Sequence, residues 1–277
     1  EASLHLNPVV RGVTEWWMRM WPIGFTTRRE PWADLGYGQN SSWGNSAHRN
    51  LALFVGSPEI YQHHLRHYDT RRLLFEPADV SEIGVPFHYS IPGQQTNVEA
   101  CWVNAKEGWA MAASKPPNAY DAFTNGVGFW FHARPRGAEA NHSSFTDGHA
   151  QFYAYGAMLN EAGAGNYRKH PIYYDGLLVN GLGACMPNLP LLDCYAHLTA
   201  WTNSEDFTYV SADLTRAYPI INFTLSGFNL NSGMAARYRY APLAALTNVT
   251  RSILFPRKKY FVVFDRLQSQ SNATFSW

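Results

Sequence analysis

Apolar and polar residues follow two different patterns along the chain. From Val9 to Met20 the apolar side chains recur about every three to four residues, which is the spacing of one helix face. Two more runs of this kind, centred on Leu51 and Leu65, begin with residues that favour helix starts. The sequence therefore predicts a segment of short helices joined by loops over residues 1–92.

Beyond Pro92 the pattern changes to short runs of aromatic and β-branched residues separated by glycine, proline, asparagine and aspartate. Such runs are typical of an antiparallel all-β architecture. They include residues 127–132, 151–155, 176–179, 207–210, 251–255 and 260–265. We place the boundary near residues 88–96 and predict an antiparallel β domain over 93–277. Because Thr274 to Trp277 starts a strand that then stops, we expect this domain to be truncated at its C-terminal end.

The amino-acid composition indicates a folded domain and disfavours non-specific nucleic-acid binding. Hydrophobic residues make up 46% of the 277 residues, which is ample for a buried core. Charged residues make up 16% and the formal net charge is +1, so the broad positive field of a non-specific nucleic-acid binder is not expected. No apolar run approaches the ~20 residues of a membrane span, and the start has neither an initiator methionine nor a signal-peptide pattern. We expect a processed or excised piece of a longer protein.

Cysteine usage and glycosylation signals bear on the compartment. Cys101, Cys185 and Cys194 lack the spacing of metal ligands, and their odd number leaves at least one thiol without an internal partner. A bridge between the last two stays open. Acceptors of the form Asn-x-Ser/Thr would matter only in a eukaryotic secretory pathway. They lie at Asn40, Asn141, Asn222, Asn248 and Asn272.

The densest group of polar functional residues lies between two predicted strands, within residues 129–167. A loop between strands can bring several groups to one place while the strands hold it rigid. The group consists of Arg134, Arg136, Asn141, His142, Asp147 and His149.

This stretch resembles the heparinase II/III-like polysaccharide lyases. The corresponding pieces are the aromatic strand and Pro-x-Gly element at 129–137, the turn from Asn141-His142 to Asp147, and the Phe-Tyr-Ala-Tyr-Gly run at 152–156. Further pieces follow in order, so the resemblance spans about residues 100–277. It implies an α+β multidomain protein, in which the end of an α/α toroid precedes a large antiparallel β-sandwich, and a secreted or periplasmic location.

The resemblance also implies a reaction. Such lyases cleave a uronic-acid-containing acidic polysaccharide by β-elimination, which needs a neutralised carboxylate, a base for the C5 proton and an acid for the departing O4. The C5 proton is too weakly acidic unless the developing enolate charge is stabilised. By family position His142 is the expected base or charge stabiliser. Asn141, Arg134 and Arg136 are expected to bind carboxylate or sulfate, and Asp147 to orient the loop.

Further candidates are weaker, and plainer explanations stay open. Tyr37, Gln39 and Asn40 on a glycine-rich loop, and His149, are additional substrate-binding candidates. Packing under the loop also explains Tyr37, and surface ion pairs also explain the two arginines. The resemblance places the earlier toroid helices, with a catalytic tyrosine and a carboxylate-neutralising asparagine or histidine, before residue 1 and in contact with this chain.

Several members of this family hold a structural metal such as zinc, whose ligand set is only partly present here. Ser144 stands where a second histidine of the turn is expected, and Tyr174 or Asp175 occupies a later histidine position, although Glu161 can serve as the acidic ligand. Replacement histidines are His149 and His170. We therefore assign no metal ligand, and a divalent metal such as zinc stays open as a cofactor.

Two other functions stay open. A uronyl C5-epimerase on the same scaffold removes and returns the same proton with nearly the same groups, whereas a non-catalytic carbohydrate-binding β-sandwich needs none of them. A glycoside hydrolase is disfavoured because carboxylates are sparse and no pair stands out on adjacent strands.

Overall fold

A computed structural model of the chain describes residue 19 and residues 99–117, 121–135, 147–160, 176–180, 184, 195–218, 221–223, 238–240 and 246–277. Arg19 is α-helical, and the regular elements from residue 99 onward in this part are antiparallel strands and a short 3-10 helix, Thr215–Ala217. The predicted helical segment lies outside the described residues except at Arg19, so the segment and its boundary near residue 92 stay predictions. Within the described residues, no helix is long and apolar enough to cross a membrane.

The first sheet has five strands that follow one another in chain order. It consists of β1 (Cys101–Asn104), β2 (Trp109–Ala113), β3 (Val127–His132), β4 (Ala150–Ala154) and β5 (Ala157–Met158). Every neighbouring pair in it is antiparallel. All six residues of β3 are buried, which explains why its apolar run does not alternate with polar residues.

The later strands form a second large sheet and two short pairs. They are β6 (Leu178–Val179), β7 (His197–Asn203), β8 (Phe207–Asp213), β9 (Ile221–Phe223), β10 (Tyr238–Tyr240), β11 (Leu246–Pro256), β12 (Val262–Ser269) and β13 (Phe275–Ser276). The second sheet has the order β12-β11-β8-β7, while β6 pairs with β13 and β9 with β10. Arg257 and Lys258 turn β11 into β12 with φ values of 46° and 54°, and two such left-handed residues match the twist of a hairpin.

The two large sheets pack face to face on a shared core. The Phe129 ring of β3 lies edge-on to two rings of the second sheet and its turn, with centroids 5.9 Å from Phe255 and 6.1 Å from Phe261. Val210 and Ile253 belong to the same fully buried cluster. Burial of each such side chain stabilises the fold by about 2 kcal/mol. The described residues thus form mostly antiparallel sheet packed as in a β-sandwich, which is the architecture predicted for 93–277.

The opposite face of the first sheet contacts a residue of the predicted helical segment. The Trp130 indole Nε1 donates a hydrogen bond to the Arg19 carbonyl oxygen at 2.8 Å. The Arg19 guanidinium lies 5.2 Å from the Trp102 ring centroid, and its Nε donates to the Glu99 carbonyl oxygen at 3.3 Å. Around Trp130, a second buried cluster that includes Tyr153 covers this face. The segment before the β domain is therefore packed against the sheet at Arg19.

Candidate functional site

The predicted site lies on the connection between β3 and β4, residues 133–149. The structure describes both ends of this connection, 133–135 and 147–149. Arg136, Asn141 and His142 lie outside the described residues, as do the loop candidates Tyr37, Gln39 and Asn40. The observed geometry is therefore that of the two ends of the connection, which we call its base.

Arg134 and Asp147 close the base of the connection across its two ends. The Arg134 backbone N–H donates to Asp147 Oδ1 at 2.8 Å, and its side chain reaches the same carboxylate through Nη2 and Oδ2 at 3.2 Å. The two side chains are 7% and 2% exposed, so the pair is buried, whereas the sequence suggested a surface pair as the plainer alternative. The Arg134 carbonyl oxygen also accepts a hydrogen bond from the Ala196 N–H at 2.7 Å, just before β7. These contacts hold both ends of the connection in one place.

Two histidines sit beside this pair in the interior. The His132 ring, the last of β3, stacks on Trp109 with centroids 4.1 Å apart, and its backbone N–H donates to the His149 carbonyl oxygen at 3.2 Å. Burial, and then the nearby Arg251 guanidinium, lower the pKa of His149 to about 3. Burial, and then Arg134 and His149, hold the pKa of His132 well below its usual range. Both rings are neutral at neutral pH.

The burial of His149 bears on its predicted role in substrate binding. Its side chain is 0% exposed, so the ring has no surface through which to touch a polysaccharide. His149 directly precedes β4, and its ring lies near enough to the Arg251 guanidinium for that charge to lower its pKa. Its role in substrate binding stays a prediction.

Arg251 on β11 connects the second sheet to this base. Its Nε and Nη2 donate to the two carboxylate oxygens of Asp265 on β12, at 2.9 and 2.8 Å, in a side-by-side fork. Its remaining terminal nitrogen, Nη1, donates to the Gly148 carbonyl oxygen at 2.6 Å. The guanidinium also lies 4.7 Å from the Trp277 ring centroid. Arg251 is 1% exposed, so a charge from one sheet holds the backbone of the other inside the molecule.

Gly148 forms backbone hydrogen bonds to both Arg251 and His132. Its φ is +77°, a left-handed conformation that L side chains rarely adopt, and its N–H donates to the His132 carbonyl oxygen at 2.9 Å. A Cβ at this position would overlap the side chain of Leu214, which is fully buried. Only glycine lets the chain turn here so that its carbonyl faces Arg251.

Sequence reasoning missed Arg251 and Asp265 as part of the site. They are paired across the β11–β12 hairpin, and both lie within the runs that were interpreted only as strands. One signal was available, since each is a charged residue at a position that strand alternation directs toward the core. A charged residue at such a position must find a partner, because an unpaired buried charge is very costly.

Most of the candidate metal positions lie outside the described residues. Within the described ranges, no group of three or more histidine, cysteine, aspartate or glutamate side chains is arranged to hold a metal ion. Glu161, His170, Tyr174 and Asp175 lie outside those ranges, together with His142 and Ser144.

Comparison with known proteins points to one fold. No protein-family model matches the chain, and no curated protein matches it. Among solved structures, a crystal structure of heparinase III has a TM-score of 0.58 at 10% identity, over 96% of this chain and 35% of that one. The heparinase III BT4657 gene product has a TM-score of 0.52 at 10% identity, over 91% and 31%.

A third structure is the heparan sulfate lyase HepC from Pedobacter heparinus, with a TM-score of 0.45 at 13% identity, over 91% of this chain and 32% of that one. The scores above 0.5 for the two heparinase III structures show that this chain has a heparinase III-like fold. The chain spans about a third of the length of the structures it matches.

Proposed function

We propose that this chain is part of a polysaccharide lyase that cleaves a uronic-acid-containing acidic polysaccharide by β-elimination. The proposal is carried by one observation: in a heparinase III-like fold, the connection that bears Asn141 and His142 has both of its described ends fixed by buried charged contacts. Rigid support of this kind is what a site needs when its reacting groups must stay within a fraction of an ångström of their working positions.

In the proposed reaction, three residues of the connection, His142, Asn141 and Arg136, act on the substrate. In the proposed step, the His142 imidazole takes the C5 proton, the C5–H electron pair forms the C4=C5 double bond, and the C4–O4 bond breaks. The departing O4 takes a proton from an acid, which we place on the part of the protein that precedes this chain. Asn141 and Arg136 hold the uronate carboxylate so that the enolate charge is stabilised as it develops.

Arg134 takes a supporting role in this proposal. Its guanidinium is already engaged by the buried Asp147 carboxylate, so it acts by holding the connection and by adding positive potential beneath it. Asp147 orients the connection through the same contacts. Because the substrate is an extracellular polymer, we place the protein in the secreted or periplasmic compartment.

The test is a screen of the full protein on heparan sulfate, chondroitin sulfate, alginate and ulvan. We expect the ultraviolet absorbance of unsaturated uronates to rise with one of these polymers. His142→Ala should lower the rate at least about a hundredfold, because general base catalysis contributes on the order of 10² to 10⁴. His197→Ala is the matched control, since His197 is an exposed histidine on β7 and takes no part in the proposed reaction.

Two other outcomes would replace the proposal. Deuterium incorporation at C5 from heavy water without chain cleavage would identify an epimerase. Polymer binding that His142→Ala leaves unchanged, without absorbance or exchange, would identify a non-catalytic carbohydrate-binding protein.

A further inference from the structure

The buried contacts of Arg251 join the two sheets at the base of the β3–β4 connection. We propose that Arg251 is a positioning residue for that connection: oriented by Asp265, its guanidinium fixes the Gly148 carbonyl and so the end of the connection next to β4. This inference rests on the proposed function for its catalytic readout. It concerns the described end of the connection, 147–149, and not the reacting groups themselves.

The Asp265 carboxylate orients the Arg251 guanidinium. Asp265 binds Nε and Nη2 at 2.9 and 2.8 Å, which fixes the plane and direction of the group. That orientation leaves Nη1 aimed at the Gly148 carbonyl oxygen, which it reaches at 2.6 Å. A lysine ammonium is a single point charge without such a fork, so it cannot keep both sets of bonds in this arrangement.

The backbone at Gly148, which Arg251 contacts, is also fixed by other hydrogen bonds. The Gly148 N–H is bonded to the His132 carbonyl oxygen at 2.9 Å, and the His132 N–H is bonded to the His149 carbonyl oxygen at 3.2 Å. Asp147, the preceding residue, binds both the backbone and the side chain of Arg134. A shift of the Gly148 carbonyl therefore moves Asp147 and, through it, the other end of the connection.

A contribution to stability does not by itself explain why Arg251 and Asp265 are paired in the interior. Replacing a buried ion pair by apolar residues of similar size is often neutral or stabilising, because removing two charges from water is costly. Besides its two bonds to Asp265, Arg251 donates a third hydrogen bond to the Gly148 carbonyl oxygen in the connection before β4. An ion pair between Arg251 and Asp265 alone would not need this third bond. Displacements of about 1 Å at a catalytic group lower rates by about a hundredfold, so the held position has a function in the proposed reaction.

The experiment compares Arg251→Lys and Asp265→Asn with the wild-type full protein, using the polymer found in the screen. We expect Arg251→Lys to lower kcat about tenfold or more while KM changes less than about twofold, because extended binding is kept and the reacting groups are displaced. Asp121→Asn is the matched control, since Asp121 pairs with Lys115 in the connection between β2 and β3, with both side chains about a third exposed. It should leave kcat and KM unchanged.

A second measurement separates positioning from folding. Hydrogen exchange of the Gly148 and His132 amides should be faster in Arg251→Lys than in the wild type, and unchanged in Asp121→Asn. Asp265→Asn serves if the lysine variant does not fold: it has nearly the same shape, but its amide nitrogen cannot accept the second bond of the fork, so the Arg251 guanidinium loses its fixed orientation. The same fall in kcat and the same faster exchange are expected.

The outcomes separate the two proposals. A folded variant with wild-type kcat, or with unchanged exchange at both amides, overturns the positioning role while the lyase proposal stands. A wild-type protein without lyase activity overturns the proposed function, and the exchange rates alone then decide whether Arg251 fixes this backbone.

Discussion

At the scale of single residues, the base of the β3–β4 connection depends on side chains that are unusual for their positions. Gly148 has a left-handed φ, Arg251 is a buried cation, and His149 is a buried neutral imidazole. The last two would be unfavourable alone, because charged and polar side chains lose their hydration in the interior. Together they form contacts across the two sheets, and the first two predictions concern this group.

The first prediction concerns Gly148→Ala. An alanine must adopt the left-handed φ of +77°, and its Cβ must also displace the packed Leu214 side chain. We expect the free energy of unfolding to fall by about 2–4 kcal/mol, from backbone strain plus overpacking. Gly156→Ala is the control, because it has a similar φ of +81° but its nearest neighbour is the Thr124 Cα at 3.6 Å. Denaturant unfolding of both variants is the measurement, and equal losses would contradict the steric argument.

The second prediction concerns pH. An unfolded histidine has a pKa near 6.5, whereas burial lowers the pKa of His149 to about 3 in the folded protein. Between these values the unfolded chain binds a proton that the folded chain does not, so stability is lost as pH falls below about 6.5. Each such histidine contributes a slope of about 1 kcal/mol per pH unit, and His132, with its pKa shifted the same way, adds to it.

The measurement is the free energy of unfolding at several pH values between 5 and 7, for the wild type and for His149→Gln. In His149→Gln the free energy of unfolding should change less steeply with pH, by about 1 kcal/mol per pH unit, whatever the stability of the variant at pH 7. The exposed His197 provides the control, because His197→Ala should keep the wild-type slope. An unchanged slope in His149→Gln would contradict the buried neutral state of His149.

At the scale of elements, the sandwich is held by aromatic rings that cross between the sheets. Phe129 of β3 contacts the rings of Phe255 and Phe261, and Phe152 of β4 contacts Phe261 at 4.7 Å. The β3–β4 pair therefore packs on the β11–β12 hairpin at one end, while Arg251 joins the same elements at Gly148. The connection is anchored on two strands whose separation is fixed by this core.

The third prediction concerns Phe129→Ala. Phe129 is 1% exposed between the sheets, so its loss leaves a cavity and should lower the free energy of unfolding by about 3–5 kcal/mol. Phe264→Ala is the matched control, since Phe264 is 47% exposed on β12 and should cost less than about 1 kcal/mol. Thermal or denaturant unfolding checks both, and similar losses would argue against a shared core between the sheets.

At the scale of the whole molecule, the chain has the fold of about a third of a heparinase III structure. The hydrogen bond from Trp130 to Arg19 shows that Arg19 packs on the outer face of the first sheet. A lyase acid and part of the substrate groove belong, in our proposal, to the protein that precedes this chain. Activity is therefore a test for the full protein, whereas the predictions on stability can be checked on the β domain with its N-terminal segment.

Several of the strands could be predicted from the sequence, because aromatic and β-branched runs are a local signal. The run 127–132 has the bounds of β3, and the runs 207–210, 251–255 and 260–265 fall on β8, β11 and β12 with ends that differ by a few residues. Strand ends depend on pairing partners, which periodicity does not specify. The antiparallel class and the polar connection after β3 also follow from residues that are close in the chain.

The burial of the polar residues near the connection depended on the packing of the two sheets. The sequence predicts Arg134 and His149 as site residues and Arg251 only as part of a strand, yet all three are buried. Arg251 and Gly148 are 103 positions apart, and no local pattern brings them together. Their contact exists because two sheets close on one core, and burial then requires each charge to find a partner within it.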